Sequence, residues 1–274
     1  MSELNSTDTN SMGVPKPVFR ASFSQWEAYN QCPQKWKFAS VMKLPRQPAG
    51  PAAQRGLHMH DRAEKYVLGE IQDVNGTELD DVYRAKVGIP AGAPLLFGGK
   101  RPAVIHEKYI PILDSLRNHP NGDRYAEKKV AFDSEWYLTA TSSAHAAFVA
   151  VLDAARVGGD RYAKDDPDNG WTFVYEWKSG NPKDTHVDQR KIYAMFGWRL
   201  WLQPVKVTTY YLEDTAPPER LVLKSDEGYE RLKALWQGRV QEMATNEICA
   251  PRPGYHCNWC DFAKKKGGPC QFGG

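Results

Sequence analysis

The chain has 274 residues, of which 41% are hydrophobic, 12% aromatic and 25% charged. This composition is typical of a globular protein with a sizeable core and excludes a chain that is disordered throughout, and the length suits one α/β domain with insertions. The net charge of +3, from 36 Lys and Arg against 33 Asp and Glu, does not by itself indicate a nucleic-acid partner.

Cellular location follows from what the sequence lacks. No apolar run approaches the roughly 18 residues needed to cross a bilayer, and the first residues do not have the order of a secretory signal. We therefore expect a cytoplasmic protein with no membrane partner. Five cysteines in such a chain argue against a disulfide scaffold, so their spacing is a guide to metal binding.

We divide the chain into a leader and one domain. Residues 1–18 are rich in Ser, Thr, Asn and Pro without apolar periodicity, so we expect a disordered leader. The remainder, 19–274, is predicted to be a single domain. Its four parts are an N-terminal helical segment, an insertion or helical region, a catalytic core and a Cys-rich tail, at residues 19–68, 69–125, 126–246 and 247–274.

The N-terminal segment is predicted to hold two helices. Ser22 or Ser24 can cap the first, which Pro33 interrupts, and the second covers residues 54–68. Residues 32–62 contain six basic side chains and one acidic one, with two aromatic residues among them. This mixture suits a phosphate backbone with stackable bases, although a solvated basic face is the commoner explanation.

The remaining elements follow from apolar periodicity. Residues 69–99 consist of short polar and Gly/Pro pieces and are predicted to be a linker or insertion. Three strands are predicted after a helix at 103–116, and a polar loop joins the last two into a hairpin. A helix, a strand and a final helix complete an α/β fold with helices around a sheet. These last six elements are predicted at 129–139, 147–157, 171–178, 187–202, 205–212 and 225–246.

Charged residues lie on two otherwise apolar strands. The period of two places Asp153 on the face of Val151, and Glu176 on the face of Lys178. If the two strands pair antiparallel, Asp153, Glu176 and Lys178 converge. Ionised groups on an apolar face are costly unless they are paired or bind a metal. A salt bridge at the rim of the sheet is an equally weighted alternative.

The chemistry of these three side chains suits phosphodiester hydrolysis. Two carboxylates supply the oxygen ligands that Mg²⁺ or Mn²⁺ prefers, and a nearby Lys can stabilise developing charge or help to deprotonate water. The segments VLD and YEWKSG, which carry these residues, resemble the D…(D/E)-x-K core of the PD-(D/E)XK nuclease superfamily.

Three further segments are similar to signatures of the RecB-like, CRISPR-associated-type exonuclease branch of that superfamily. They are the opening SFSQWEAYNQCPQKWKF, the segment RGLHMHDRAE, and the Gln-x-x-x-Tyr spacing of Gln189 and Tyr193. Each motif is weak alone, but their order along the chain strengthens the resemblance. It extends over residues 19–270, although 69–125 match no known signature.

The resemblance implies a restriction-endonuclease-like mixed sheet flanked by helices, and a divalent-metal-dependent DNA exonuclease. The implied ligands of Mg²⁺ or Mn²⁺ are His60, Asp153 and Glu176, with the carbonyl of Trp177 as a candidate fourth. Glu64 would support His60, since only His60, and not His58, has the family spacing. Lys178 would act on the attacking water. Gln189 and Tyr193 would orient the Lys178 side chain and contact DNA. The nucleic-acid contacts we infer are Lys35, Lys37, Arg55, Gln189 and Tyr193.

The cysteines suggest a second metal centre. Cys257-x₂-Cys260 followed by Cys270, with nine residues between, is typical of a zinc knuckle or an iron-sulfur ligand set. The resemblance implies a [4Fe-4S] cluster completed by Cys32 of the Cys-Pro signature, which would join the two ends of the domain. The common pattern has about five residues before the last Cys, so Zn²⁺ is an alternative metal.

Several alternatives stay open from the sequence. Cys249 competes with Cys32 as the fourth ligand, and His256 is a third candidate. The rival function is a catalytically silent DNA-binding or assembly subunit that keeps the nuclease fold, and another is a zinc-stabilised binding protein. The preferred hypothesis is a stand-alone nuclease, phage-encoded or CRISPR-associated, that acts on ends of single- or double-stranded DNA in recombination, repair or processing.

Overall fold

The computed structural model of the chain describes residues 19–87, 89–90, 92–119, 124–158 and 170–272. The predicted leader and most of the loop between the two core strands lie outside this part. The described strands are β1 (Ala21–Ser22), β2 (Arg124–Asp133), β3 (Leu138–Thr139), β4 (Ala146–Val157), β5 (Thr172–Lys178), β6 (Val205–Tyr211) and β7 (Glu219–Leu223).

Helices flank these strands, and short 3₁₀ or π segments extend some of them. Within the described residues none is long and apolar enough to cross a membrane. The α-helices are α1 (Phe23–Gln31), α2 (Pro33–Trp36), α3 (Pro51–Leu68), α4 (Glu78–Val87), α5 (Ile110–Arg117), α6 (His186–Trp201) and α7 (Asp226–Thr245).

All seven described strands belong to one mixed sheet. Its order is β3-β2-β4-β5-β6-β7, and β1 pairs separately with β4. The pairs β5–β6 and β1–β4 are parallel and the others antiparallel. A parallel pair needs a crossover connection, which α6 supplies between β5 and β6. The predicted mixed sheet flanked by helices is thus confirmed, and so is the antiparallel pairing of β4 with β5.

The core has two main parts on opposite faces of the sheet. Val174 and Tyr175 are neighbours on β5, so their side chains point to opposite faces, and they belong to different buried clusters. The first cluster contains Phe196 of α6 and Trp236 of α7, and the second contains Met59 of α3. The helices therefore cover both faces, and the N-terminal segment contributes to both.

Two predicted elements differ from the structure because local hydrogen bonds end them. The predicted strand 129–139 is divided into β2 and β3 by a turn, in which Asp133 Oδ1 accepts hydrogen bonds from the backbone of Glu135 and Tyr137. Trp136 there has a φ of 64°, which a continuous strand does not allow. The predicted helix 103–116 begins later, at a 3₁₀ turn that the His106 side chain caps.

Two longer elements, and the two-residue strand β1, were not predicted at all. Residues 69–99 are not only linker, since they contain α4, where Leu79 and Tyr83 are buried one turn apart. Acids in its first turn and bases in its last turn suit the helix dipole. The strand β7, which follows a Pro-rich turn, forms the last strand of the sheet path beside β6.

The Cys-rich tail is held in a compact turn around Phe262. The Cys270 amide donates to the Phe262 carbonyl at 2.9 Å, and Ala263 pairs with Cys270 in an isolated bridge. A Cβ at Gly268 would lie 2.3 Å from the Phe262 backbone. Only glycine fits this approach without movement of the backbone.

We expect Gly268→Ala to destabilise the tail, because the added methyl group must displace backbone rather than a flexible side chain. The expected loss is about 1–3 kcal/mol, measured by urea unfolding together with proteolysis of the tail. Gly238→Ala is the matched control, since nothing lies within 4 Å of a Cβ there. Equal stability of the two variants would contradict the close packing around Phe262.

Candidate active site

The candidate site lies where β4 and β5 separate. Their backbone pairing runs from Val157 with Thr172 to Ala154 with Tyr175 and stops one residue short of Asp153 and Glu176. The Asp153 carboxylate then accepts a hydrogen bond from the Trp177 amide at 2.8 Å. The Asp153 side chain thus takes the place of a backbone acceptor for the Trp177 amide, just beyond the paired residues. This arrangement places the carboxylates of Asp153 and Glu176 opposite each other.

Lys178 links these carboxylates to α6. Its Nζ donates to Glu176 Oε1 and, at 2.9 Å, to Gln189 Oε1. Gln189 Nε2 in turn donates to the Tyr193 hydroxyl at 2.9 Å. Gln189 and Tyr193 lie four residues apart and therefore on one face of the helix. The structure brings together five of the predicted site residues, and Gln189 fixes the direction of the Lys178 ammonium.

The two carboxylates are buried and short of partners. Glu176 is 1% exposed, and its Oε2 has no hydrogen-bond partner. Burial, and then the charge of Asp153, raise the pKa of Glu176 to about 7. Burial likewise raises the pKa of Asp153 to about 7, although Lys178 and the Trp177 amide oppose that rise. The single Lys178 ammonium therefore does not fully balance the negative charge that the two carboxylates carry when both are ionised.

His60 approaches this pair from α3. Its Nδ1 lies 3.6 Å from Asp153 Oδ2, and burial lowers the pKa of His60, which favours the neutral imidazole. His58 lies elsewhere: it is fully buried, with its Nε2 3.1 Å from Asp80 Oδ1. Glu64 interacts with Asp61 and Lys65, so its predicted support of His60 stays a prediction.

A further carboxylate, Glu127, was missed by the sequence analysis. The register of β2 against β4 runs from Ala126 with Ala154 to Lys128 with Leu152, so Glu127 is opposite Asp153. Its φ of 47° interrupts the residue pairing with β4 at this one position, and the pairing continues on both sides. Burial raises the pKa of Glu127 to about 7. The strand was predicted to start at 129, and no pattern in the sequence marks this residue.

A cleft opens beside the candidate site. Its volume is about 420 Å³, and Asp153, Gln189 and Tyr193 form part of its wall. Arg20 and Lys129 supply positive charge, and Phe23 an aromatic side chain. The serines at the start of α1, Ser22 and Ser24, complete the set of polar groups. Such a cleft can accept a phosphate chain next to the carboxylates.

Each of the three predicted basic contacts has a partner within the protein. Arg55 forms an ion pair with Glu213 at 2.7 Å, Lys37 donates to the Glu247 carbonyl at 3.0 Å, and Lys35 donates to Gln31 Oε1 at 2.7 Å. Lys35 also lines a second cleft of about 620 Å³ along α1, together with Arg46. The contacts of these three residues with nucleic acid stay predictions.

Four cysteines line one small cavity. Cys32 lies there with three cysteines of the tail, and His256 is also part of the wall. Backbone amides of Arg252 and Gly254 donate to the sulfurs of Cys32 and Cys257 at 3.5 and 3.4 Å. Cys249 lies apart in the main core, where its Sγ donates to the Asn246 carbonyl at 2.9 Å.

The two predicted metal centres are assembled only in part. Across the described ranges, no three His, Cys, Asp or Glu side chains meet closely enough to hold a metal ion. The sets that contain Asp153 and Cys32 are thus neighbouring groups rather than closed ligand shells. Their roles as ligands remain predictions.

Comparison with known protein families identifies one match. The sequence profile of the family described as PD-(D/E)XK nuclease superfamily matches residues 20–264. Two solved structures resemble the fold at 12% identity: SSO0001, with a TM-score of 0.41 over 92% of this chain and 85% of that one, and a protein named "Putative exonuclease" from Eubacterium rectale, with 0.44 over 95% and 93%. No curated protein matches the chain significantly.

Proposed function

Because the chain belongs to the PD-(D/E)XK nuclease superfamily, we propose that it is a divalent-metal-dependent DNA exonuclease that hydrolyses phosphodiester bonds from strand ends. The observation that carries this proposal is the meeting of Asp153, Glu176 and Lys178 where β4 and β5 separate. A rim salt bridge accounts for the Lys178–Glu176 pair but not for the second buried carboxylate, Asp153, which lies opposite Glu176 without an ammonium partner of its own among the described residues.

The residues at the site fit a divalent cation. Glu176 Oε2 is a buried oxygen with no partner, and such an atom is costly unless something binds it. Asp153 and Glu176 would hold Mg²⁺ or Mn²⁺ through oxygen, and the neutral imidazole of His60 is the third candidate ligand. When bound, the cation supplies Lewis-acid polarisation of the phosphodiester.

The mechanism that we propose assigns the remaining work to the protein's own side chains. Lys178 stabilises negative charge that develops on the phosphate and orients the attacking water. Gln189 holds the Lys178 ammonium at 2.9 Å. Burial, together with the carboxylates, raises the pKa of Tyr193 well above its ordinary value, so its hydroxyl keeps its proton and can donate.

The cleft supports a strand of DNA as substrate. Arg20 and Lys129 can contact phosphates, and Phe23 can stack against a base. The tail would carry a [4Fe-4S] cluster, or Zn²⁺, on Cys32 and its three cavity neighbours. Such an enzyme would act in the cytoplasm in DNA recombination, repair or processing.

The decisive experiment is digestion of end-labelled DNA by the purified protein with Mg²⁺, Mn²⁺ or EDTA. We expect labelled mononucleotides or short fragments only when one of the cations is present. A protein that binds DNA but digests none with either cation would contradict the proposal and favour the silent subunit.

Neutralising one carboxylate is expected to stabilise the metal-free protein. At pH 8 in EDTA, Glu176→Gln and Asp153→Asn should each raise the free energy of unfolding by about 1–3 kcal/mol, because two like charges are no longer held together. Excess Mn²⁺ should make the wild type more stable than either variant, since only the wild type binds the cation well. Thermal unfolding measures both effects.

The direction in which stability changes with pH follows from the raised pKa values of Asp153 and Glu176. Folding raises the pKa of both carboxyls from about 4 to about 7, so the wild type should lose stability relative to the variants as pH rises across that interval. Glu227→Gln, at an exposed acid of α7, should show no such trend. A large loss of stability in metal-free Glu176→Gln would instead indicate a structural salt bridge.

A further inference from the structure

The Cys-rich tail carries an exposed aromatic pair that the proposed mechanism does not use. Tyr255 and Trp259 are 77% and 59% exposed. Their ring centroids lie 4.4 Å apart at an interplanar angle of 77°. Large aromatic side chains that protrude together into solvent are characteristic of surfaces that bind a partner.

The same segment carries the net charge of the protein. Residues 249–272 contain Arg252 and the three lysines 264–266 against one acid, Asp261, and the rest of the chain then holds 32 basic and 32 acidic residues. All three lysines are exposed. The exposed lysines make this face of the tail positive, which favours a polyanion there.

The lysines are held beside the aromatic pair. Lys266 Nζ donates to the Trp259 carbonyl at 3.2 Å, and Lys265 Nζ to Asn258 Oδ1 at 3.3 Å. Phe262, between the two groups, packs against Phe38 with ring centroids 5.5 Å apart. Charge and rings therefore form one preorganised surface, and binding need not order either of them first.

Shared lining residues place the cysteine cavity of the tail next to the clefts at the candidate site. Ser24 lines both the catalytic cleft and the second cleft along α1. Lys35 lines both that second cleft and the cysteine cavity. The exposed aromatic pair and the lysines 264–266 line neither cleft, so their surface lies outside the catalytic cleft.

We propose that Tyr255, Trp259 and the lysines 264–266 form a platform that binds single-stranded DNA outside the catalytic cleft. The proposal rests on the proposed nuclease function for the identity of the polyanion. The rings stack on unpaired bases, and the lysines neutralise phosphates. Duplex DNA is a poorer occupant, because the faces of its bases are already covered by their neighbours.

The test is binding of fluorescein-labelled oligothymidylate of about 20 nucleotides in EDTA, measured by anisotropy. We expect Trp259→Ala to bind about tenfold more weakly than wild type. Replacing the lysines 264–266 with Gln should lower the slope of log K against log salt by about 2, since each phosphate contact on a single strand contributes about 0.7. Tyr137→Ala is the matched control, because Tyr137 is 60% exposed on the turn before β3.

Digestion with Mn²⁺ separates this proposal from the proposed function. Trp259→Ala should digest long strands more slowly than the wild type, and this difference should shrink as the strand is shortened to about 4 residues, because a shorter strand leaves fewer nucleotides outside the cleft to contact the tail. If no DNA is digested by any variant but the tenfold binding loss persists, the platform stands and the nuclease function fails. Wild-type binding by both tail variants, or equal losses for duplex and single strand, would overturn the platform.

Discussion

Lys178→Ala is expected to abolish DNA digestion and leave DNA binding nearly intact. The Lys178 ammonium is the only side chain that we assign to the developing charge on the phosphate, and loss of one such group costs at least about a hundredfold in rate. Binding should persist because Arg20 and Lys129 remain in the cleft. End-labelled DNA with Mn²⁺ measures digestion, and anisotropy in EDTA measures binding.

Two further variants make that result interpretable. Lys178→Gln keeps polar contact with Glu176 and Gln189 and should be equally inactive, which separates loss of charge from loss of folding. Lys206→Ala is the control, since Lys206 lies on the adjacent strand β6 over the ring of Phe173 and should digest DNA normally. Undiminished digestion by Lys178→Ala would remove this residue from the mechanism.

Cys32→Ser is expected to lose the metal of the tail and become sensitive to protease, whereas Cys249→Ser keeps both metal and fold. Cys32 shares a cavity with the three tail cysteines, and Cys249 is buried in the main core. If the link between Cys32 and the tail acts like a disulfide across a long loop, it restricts the unfolded chain and raises the free energy of unfolding by about 4–5 kcal/mol.

Metal content per chain decides between the two cysteines, and the absorption spectrum of anaerobically purified protein distinguishes an iron-sulfur cluster from Zn²⁺. His256→Ala is informative as well, because His256 also lines the cavity and should be dispensable if Cys32 is the fourth ligand. Retention of metal by Cys32→Ser together with its loss by Cys249→Ser would mean a local site within the tail.

Sequence periodicity was sufficient to predict β4 and β5 because both contain runs of apolar residues. In the second half of β5 charged and apolar residues alternate, so the period of two already placed Glu176 and Lys178 on one face. The hairpin prediction then brought Asp153 to them, and the structure confirms the pairing of these strands. Here local pattern and tertiary packing agree.

Periodicity failed where long-range partners decide the outcome. The ion pair of Arg55 with Glu213, 158 residues away, is encoded by no local pattern, and the predicted contact of Arg55 with DNA stays a prediction. Glu127 was missed because it reaches the site through a positive φ rather than through strand alternation. The helix α4 was missed because its segment is mostly polar and its stability comes from Tyr83 packing on His58.

The contact between Gln34 and Cys270, which lie 236 residues apart at a distance of 3.4 Å, has a consequence for synthesis. At about 5–20 residues per second, a ribosome needs roughly 10–50 seconds to progress from the one to the other. During that interval α2 has no tail to pack against, and Cys32 lacks its neighbours. Cys32 therefore meets these neighbours only after the tail has been synthesised, so the cysteine cavity is among the last parts of the fold that can form.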